Sequence, residues 1–442
     1  MTDPAETLDL KPDSDATAED ADRKSIHLGF LGRTPPFTKR QRRVFWIAST
    51  AGFFDQYDRA LLSLALKQIQ TSLKIAESHL GAMLSVIRLG YLLSLLMTPF
   101  ADVFGRRRLL LYTVIGYTIF TGLIAIAPNE RTFVVFEIIA RAFAGAEAAI
   151  AMVIVAEEVD AAYRGWAIGL LASVSSIGYG LAAIAFAFIN MIPYGWRGMY
   201  AIALIPLAVV IPLRRVLPES ARFEKEKLEG LRPVKIWEPV VRLYTAYPKR
   251  LAMMLSIAFL SNMGGNASGF LFPKFLQEAH HWSPGNVSSL FFLGGAIGIV
   301  GSIIAGRMSD RFGRRIMGTA FLFLSPVLTI WMYTASGPSI VPAWILQTFF
   351  DFAANMILSA YSAELFPTSY RSTAGSALAI AGTTGGALGL FLEGVLYNFT
   401  GSLSRSVCYL TVFWMIAPAI LWFFPETSGR ELEDISPEAN AL

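Results

Sequence analysis

The chain has 442 residues, 54% of them hydrophobic and 16% charged, and its mean hydropathy is +0.50; a water-soluble domain is about a quarter charged. These values argue against soluble domains, disorder and a fibrous repeat, and they place the chain among integral membrane proteins. The net charge of +4 does not point to nucleic acid, because basic residues of a polytopic membrane protein collect on cytoplasmic loops, and the single cysteine, Cys408, excludes an intramolecular disulfide or a two-thiolate metal site.

Residues 1–43 are polar, acidic at first and basic at the end, and are expected to form a disordered cytoplasmic tail. They lack the apolar run of a cleaved signal peptide, so the first span is expected to insert the chain. From Val44 onward, windows of about 20 apolar residues recur, long enough to cross a hydrocarbon core of roughly 30 Å as helices. Twelve are predicted, at 44–66, 80–100, 108–127, 133–156, 165–189, 198–216, 251–275, 286–306, 316–335, 341–362, 372–397 and 404–424. The longest connection, 217–250, separates an N-terminal half (44–216) from a C-terminal half (251–424), and 425–442 forms a second tail. Of the 37 Lys and Arg, Arg59, Arg88 and Arg141 fall inside spans; the others divide 28 to 6 between the two sides. The rich side holds both termini, so both are expected in the cytoplasm, with the protein in the plasma (inner) membrane.

The halves repeat each other. Asp102–Arg107 reads Asp-Val-Phe-Gly-Arg-Arg and Asp310–Arg315 reads Asp-Arg-Phe-Gly-Arg-Arg, 208 positions later. Glu157 with Arg164 returns as Glu364 with Arg371, and Pro218-Glu-Ser as Pro425-Glu-Thr, each displaced by 207. Three loops in register imply two six-helix halves related by an axis along the membrane normal, with a substrate site between them near the bilayer midplane.

On these features the chain resembles the major facilitator superfamily. Gly306-Arg-Met-Ser-Asp310-Arg311-Phe-Gly313-Arg314-Arg315 matches that family's loop signature in full. The first copy keeps Asp102, Gly105, Arg106 and Arg107 but has Thr98 for Gly and Val103 for Arg, so a weaker conformational latch is expected there. Pro218–Phe223 and Pro425–Arg430 are similar to sugar porters, whereas Asp55-Gln-Tyr-Asp58 resembles the Asp-Gly-Tyr-Asp motif of aromatic-acid and metabolite proton symporters, with Gln56 for Gly. The Gln-Gln pair of sugar porters is missing from Ser261–Asn266, and the glycine-proline signature of drug antiporters is missing around Ser175–Gly180.

Ionisable side chains at membrane depth are costly unless paired or wetted, which makes them functional candidates. Asp55 and Asp58 share one helix face, where neighbouring carboxylates repel and one is favoured to hold a proton, as proton coupling requires; a wetted helix end is the other reading. Arg88 and Arg141 could bind a substrate carboxylate through the planar guanidinium fork, or serve as counter-ions to Asp55 or Asp58. Arg141-Ala-Phe-Ala-Gly145 resembles the Arg-x-x-x-Gly element of proton-coupled facilitators, which implies a coupling role for Arg141 and leaves Arg88 open. Asn262 and Asn266, Asp351 and Asn355, Glu393 and Tyr57 are further substrate-binding candidates; Asn266 lies 208 after Asp58, at the repeat-equivalent position. Asp102, Glu157, Arg164, Asp310, Glu364 and Arg371, with the loop arginines, are expected to form cytoplasmic charge networks that break as the halves rock. No metal is expected, since His280 and His281 have no further ligand cluster.

The reading is an all-α, twelve-span, monomeric proton-coupled symporter importing a small organic anion, an aromatic or other carboxylic acid, with no cofactor beyond the coupling proton. A sugar- or polyol-like solute, and proton-driven export, are the alternatives within transport. A substrate-sensing receptor is disfavoured by the short tail after Pro425, and an enzyme by the lack of a phosphate-binding glycine loop.

Overall fold

A computed structural model describes residues 37–98, 100, 105–159, 163–204, 237–367, 370–430 and 435. Residues 1–36 of the N-terminal tail, Asp102, the Pro218 motif, most of the 217–250 connection and the end of the sixth predicted span lie outside the described residues, while the last residues of the expected tail begin α1. All regular structure described is helical: α1 (Lys39–Leu64), α2 (Leu66–Leu73), α3 (Glu77–Met97), α4 (Arg106–Ala125), α5 (Glu130–Glu158), α6 (Arg164–Ala187), α7 (Trp237–Ala246), α8 (Pro248–Ala279), α9 (Pro284–Phe312), α10 (Arg314–Thr334), α11 (Ile340–Leu365), α12 (Arg371–Thr400), α13 (Leu403–Trp414) and α14 (Ile416–Trp422), with one 3-10 turn at Gly337–Ser339.

Helix ends follow local chemistry. Thr38 and Gln41 close a capping box at the start of α1, Asn129 caps α5, and Ser283 caps α9 with Pro284 in its first turn. Gly105 and Gly313, equivalent residues of the repeated loop, both have positive φ, 92° and 99°, a conformation that glycine adopts without steric cost. The first predicted span is longer than expected at its start and breaks at Ala65, and the last divides at Met415. Nine spans among the described residues are long and apolar enough to cross a bilayer. Helices α1 and α8 are also long enough, at 26 and 32 residues, but carry Asp55, Asp58, Arg59 and Lys274 in their interiors. Apolar side chains such as Leu96, Ile119, Phe292 and Phe413 are exposed on the bundle surface, as expected where lipid replaces water.

The two halves meet along equivalent pairs. Helix α3 packs on α12, and its repeat equivalent α9 packs on α6. At the first crossing Gly81 lies against the backbone of Leu390 and Gly394, so no side chain separates the helices. Within each half the same device recurs: Gly178 abuts the carbonyl of Phe53, and Gly385, 207 residues later, abuts that of Phe259.

At the end where α1 meets α2 and α8 terminates, the halves are also bolted together by polar contacts. Gln277 Nε2 donates to the Leu64 carbonyl at 3.1 Å, Lys67 Nζ to the Gln277 carbonyl at 2.9 Å, and Ser63 Oγ to the Phe270 carbonyl at 2.7 Å. Lys274, with no exposed side-chain surface, binds Glu77 at 2.6 Å and Glu278 at 2.5 Å. The largest apolar cluster unites Leu61, Leu64 and Leu66 with Leu271, Phe272 and Leu276 at this same end. Towards the other end the described apolar clusters stay within one half, around Val44 and Leu109, around Phe45 and Val155, and around Met254 and Tyr361. Among the described residues the halves are therefore sealed together at one end and parted at the other.

Replacing Lys274 by Met leaves Glu77 and Glu278 without their cation. Their partial exposure, 27% and 39%, lets water screen them, so the expected loss is about 1–3 kcal/mol rather than that of a fully buried pair. A lowered unfolding midpoint in detergent, partly restored by Lys274→Arg, is the outcome to look for; an unchanged midpoint would show that the bolt contributes nothing.

Candidate functional site

A network of buried charge runs through the N-terminal half. Asp55 on α1 pairs with Arg59 one turn later and accepts a 2.5 Å hydrogen bond from the Tyr91 hydroxyl of α3. Arg141 on α5, 2% exposed, donates to the Tyr91 hydroxyl at 3.3 Å, to the main-chain carbonyl of Asp58 at 3.3 Å and to Glu137 at 3.2 Å. Glu137, itself fully buried, takes a second bond of 2.5 Å from the Tyr200 hydroxyl. The guanidinium groups of Arg59 and Arg141 also lie 5.2 and 5.9 Å from the Tyr91 ring centroid, within cation–π range. Asp58 differs from the other carboxylates. It is 1% exposed, and its Oδ1 has no hydrogen-bond partner. The Tyr117 hydroxyl beside the Asp58 carboxyl donates to the Phe54 carbonyl at 3.2 Å.

A cavity of about 320 Å³ opens beside this network, between the halves. It runs from Ser63 and Phe270, beneath the bolted end, towards Leu322 and Leu358. Its N-terminal wall presents Gln56, Arg59, Arg88, Tyr91 and Arg141; its C-terminal wall presents Ser261, Asn262, Asn266, Asp351, Asn355 and Trp414. The ring of Tyr179 and the side chains of Leu84, Ile87 and Leu390 add apolar surface. Asn266 Nδ2 donates to Asn262 Oδ1 at 2.6 Å, and Asn262 Nδ2 to the Ala258 carbonyl at 2.9 Å, which orients both amides. Arg88 is held against Gly386 of α12, where any side chain would strike the guanidinium. Its Nε has no partner, and no ion pair among the described residues includes it.

The structure brings Arg88, Asn262, Asn266, Asp351 and Asn355 together as cavity walls, with Asp55, Asp58 and Arg141 in or behind one of them. Two substrate candidates lie away from the cavity wall. The Tyr57 hydroxyl points into the N-terminal half and donates to the Met199 carbonyl at 3.2 Å. Glu393, 3% exposed, lies outside the cavity wall, within charge range of Lys274 and Glu77 at the bolted end. Glu137 and Lys274 were missed by sequence reasoning. The four-residue spacing of Glu137 and Arg141, which places both on one helix face, was the available signal for the first.

At the parted end the complete copy of the repeated loop is held by side chains of its own half. Arg314 binds Glu364 at 2.7 Å and Asp310 at 3.2 Å. Glu426, from the Pro-Glu-Thr motif, accepts the backbone N–H groups of Arg314 at 2.7 Å and Arg315 at 3.1 Å, satisfying donors at the start of α10. Gly306 and Arg311 lie on α9, and Arg371 opens α12. In the first copy Gly105 precedes α4, which begins with Arg106 and Arg107. Asp102 and the side chains of Glu157 and Arg164 lie outside the described residues. No group of three or more His, Cys, Asp or Glu that could hold a metal occurs among the described residues.

Burial of Glu426 works to raise its carboxyl, but bonds from the backbone of Ser428, Arg314, Arg315 and Thr427 prevail and hold it below its ordinary value of 4.5. Its stabilising contribution is therefore complete above that value and is lost as pH falls through the lower folded value. Glu426→Gln should lower the unfolding midpoint at neutral pH and flatten its decline in acid. Within the membrane, Glu137→Ala should cost on the order of 3 kcal/mol by stranding Arg141, while Asp58→Asn, at a side chain with no bonded cation, should cost under about 1 kcal/mol. Thermal unfolding of the two purified variants checks the order; equal losses would contradict the assignment of Arg141 to Glu137.

Comparison with known proteins agrees with this architecture. A model described as the Major Facilitator Superfamily matches residues 48–257 and 254–440. The niacin transporter of Acinetobacter baylyi is 22% identical over 90% of this chain and 97% of its own length, and the benzoate transport protein of the same organism is 23% identical over 90% and 92%. The crystal structure of a D-xylose-proton symporter superposes with a TM-score of 0.73 at 19% identity, covering 89% of this chain and all of that one. At that identity the likeness is one of fold.

Proposed function

The chain belongs to the major facilitator superfamily and is a multi-pass integral membrane transporter rather than an enzyme; we propose that it is a proton-coupled symporter importing a small organic anion, an aromatic or other carboxylic acid. Relatives named for benzoate, niacin and cis,cis-muconate transport support this substrate class. So does the charge inventory of the N-terminal wall, which is the observation that carries the reading. Three guanidinium groups, Arg59, Arg88 and Arg141, stand with three carboxylates, Asp55, Glu137 and Asp58. Asp55 and Glu137 are committed to Arg59 and Arg141. Arg88 and Asp58 are left, one facing the cavity and one buried behind it.

A low-dielectric site favours electrical neutrality. With Asp58 ionised the wall is balanced and has no call for an anion. A proton on Asp58 leaves one positive charge in excess, and a substrate carboxylate on Arg88 restores the balance through the planar guanidinium fork. Proton and anion then bind best together, which is the coupling free energy that symport needs. A neutral sugar or polyol would leave that charge uncompensated, although the amides of Asn262 and Asn266 could bond its hydroxyls.

The remaining parts fit alternating access by rocking of the two halves. On the positive-inside reading both termini are cytoplasmic, the bolted end faces outward, and the cavity is reached from the inside of a plasma membrane. The Asp310–Arg315 loop with Glu364, Arg371 and Glu426, and its counterpart around Gly105–Arg107 with Glu157 and Arg164, are the cytoplasmic latches of the opposite state. The two halves of a single chain enclose the whole pathway, so the working unit is a monomer.

Uptake of radiolabelled benzoate, aliphatic acids and a polyol into proteoliposomes, with and without an inward proton gradient, tests the reading. Gradient-stimulated uptake of an acid is expected, lost in Asp58→Asn while counterflow exchange survives, and both activities should fall in Arg88→Leu. Polyol uptake indifferent to the gradient and to Asp58→Asn would sink it.

A further inference from the structure

The two walls of the cavity are electrically unlike. The N-terminal wall ends in guanidinium groups; the C-terminal wall offers the carboxylate of Asp351, on α11. No ion pair among the described residues includes Asp351, and the hydrogen bond recorded there is accepted by its main-chain carbonyl, from Asn355 Nδ2 at 2.8 Å. Asp351 is half-buried at the cavity surface, and the same wall holds two buried polar atoms without partners, Ser261 Oγ and Trp414 Nε1. On the other side Arg88 Nε is likewise unpartnered. A buried polar atom left without a partner is destabilising, and none of these atoms finds one within the protein.

We propose that the substrate is a ring-bearing carboxylic acid with a hydrogen-bond donor on the part of the ring remote from its carboxylate, a hydroxyl, amine or ring N–H, and that Asp351 is the residue that selects it. This rests on the carboxylate-on-Arg88 reading of the same site and adds the second half of the recognition. The carboxylate satisfies the N-terminal wall, the ring lies against Tyr179 and Leu390, and the donor satisfies Asp351. An acid without a donor buries the Asp351 carboxylate against carbon, so discrimination arises from the penalty on the wrong ligand as much as from the bond to the right one. Because Arg88 belongs to one half and Asp351 to the other, a ligand carrying both groups also bridges the halves. That makes Asp351 a determinant of affinity in the closed state.

The test is ligand affinity of the purified, full-length protein for benzoate, 4-hydroxybenzoate, 4-aminobenzoate and nicotinate, read by quenching of tryptophan fluorescence and by thermal shift. The native protein should bind the better of the two 4-substituted acids on the order of ten-fold or more tightly than benzoate. In Asp351→Ala and in Asp351→Leu that ratio should collapse towards one, with benzoate binding retained or improved. Asp351→Asn, which keeps an acceptor of the same size, serves if the other variants fail to fold and should keep a reduced preference. Equal affinities in the native protein, or a preference that survives removal of Asp351, overturn the proposal while leaving the carboxylic-acid reading intact. Failure of every acid to bind would overturn both.

Discussion

Arg141 carries a permanent charge where almost no water reaches it, and much of the N-terminal half is arranged around its guanidinium. A buried ion is tolerated only when its partners are well placed and its hydrogen-bonding capacity is filled. Glu137 supplies the charge from one turn before, Tyr200 fixes Glu137, Tyr91 and the Asp58 main chain take the other donors, and Tyr91 in turn holds Asp55. Each partner comes from a different helix or a different turn. The network therefore fixes the relative positions of α1, α3 and α5, and it leaves Asp58 as the carboxylate with an oxygen to spare. Rigidity around one protonatable group is a sensible design for coupling, because its environment then changes only when the halves move.

The same logic explains the contrast between the ends of the molecule. At the bolted end Lys274, Gln277 and an apolar cluster cross from one half to the other. At the parted end the described contacts of the repeated loop, Arg314 with Glu364 and Glu426 with the start of α10, stay within the C-terminal half. Between the ends, glycines at the crossings of α3 with α12 and of α8 with α12 bring backbones together without interdigitating side chains. Surfaces of that kind can slide or tilt with little repacking, whereas an interlocked core would resist.

Much of this was legible in the sequence, and the limits are instructive. Loops announced the repeat because their chemistry is local: a glycine with positive φ before a helix and an acid near an arginine cluster recur wherever the backbone needs them, as at Gly105 and Gly313. The acids of the first span stood out as charges in an apolar window. Which charge pairs with which was not legible, because pairing is set by helix rotation and by partners hundreds of residues away. Lys274 sits at the end of the predicted 251–275 span and drew no reading, yet it is buried on contact with Glu77, 197 positions earlier. Glu393 read as a substrate-binding candidate and lies near that lysine, since its side of α12 is fixed by the glycines that pack on α8 and α3.

The central claim is that one proton on Asp58 and one carboxylate on Arg88 are taken up as a neutral pair. Thermodynamic reciprocity gives its most direct test, because a substrate gradient must then drive protons uphill. Proteoliposomes containing a trapped pH-sensitive dye would be exposed to an inward gradient of the transported acid, at equal pH on both sides, alongside protein-free vesicles. The account predicts lumenal acidification above the protein-free level for the native protein and none above it for Asp58→Asn, even though that variant still exchanges substrate. Equal acidification by the two proteins would contradict it and would move the coupling proton to another group.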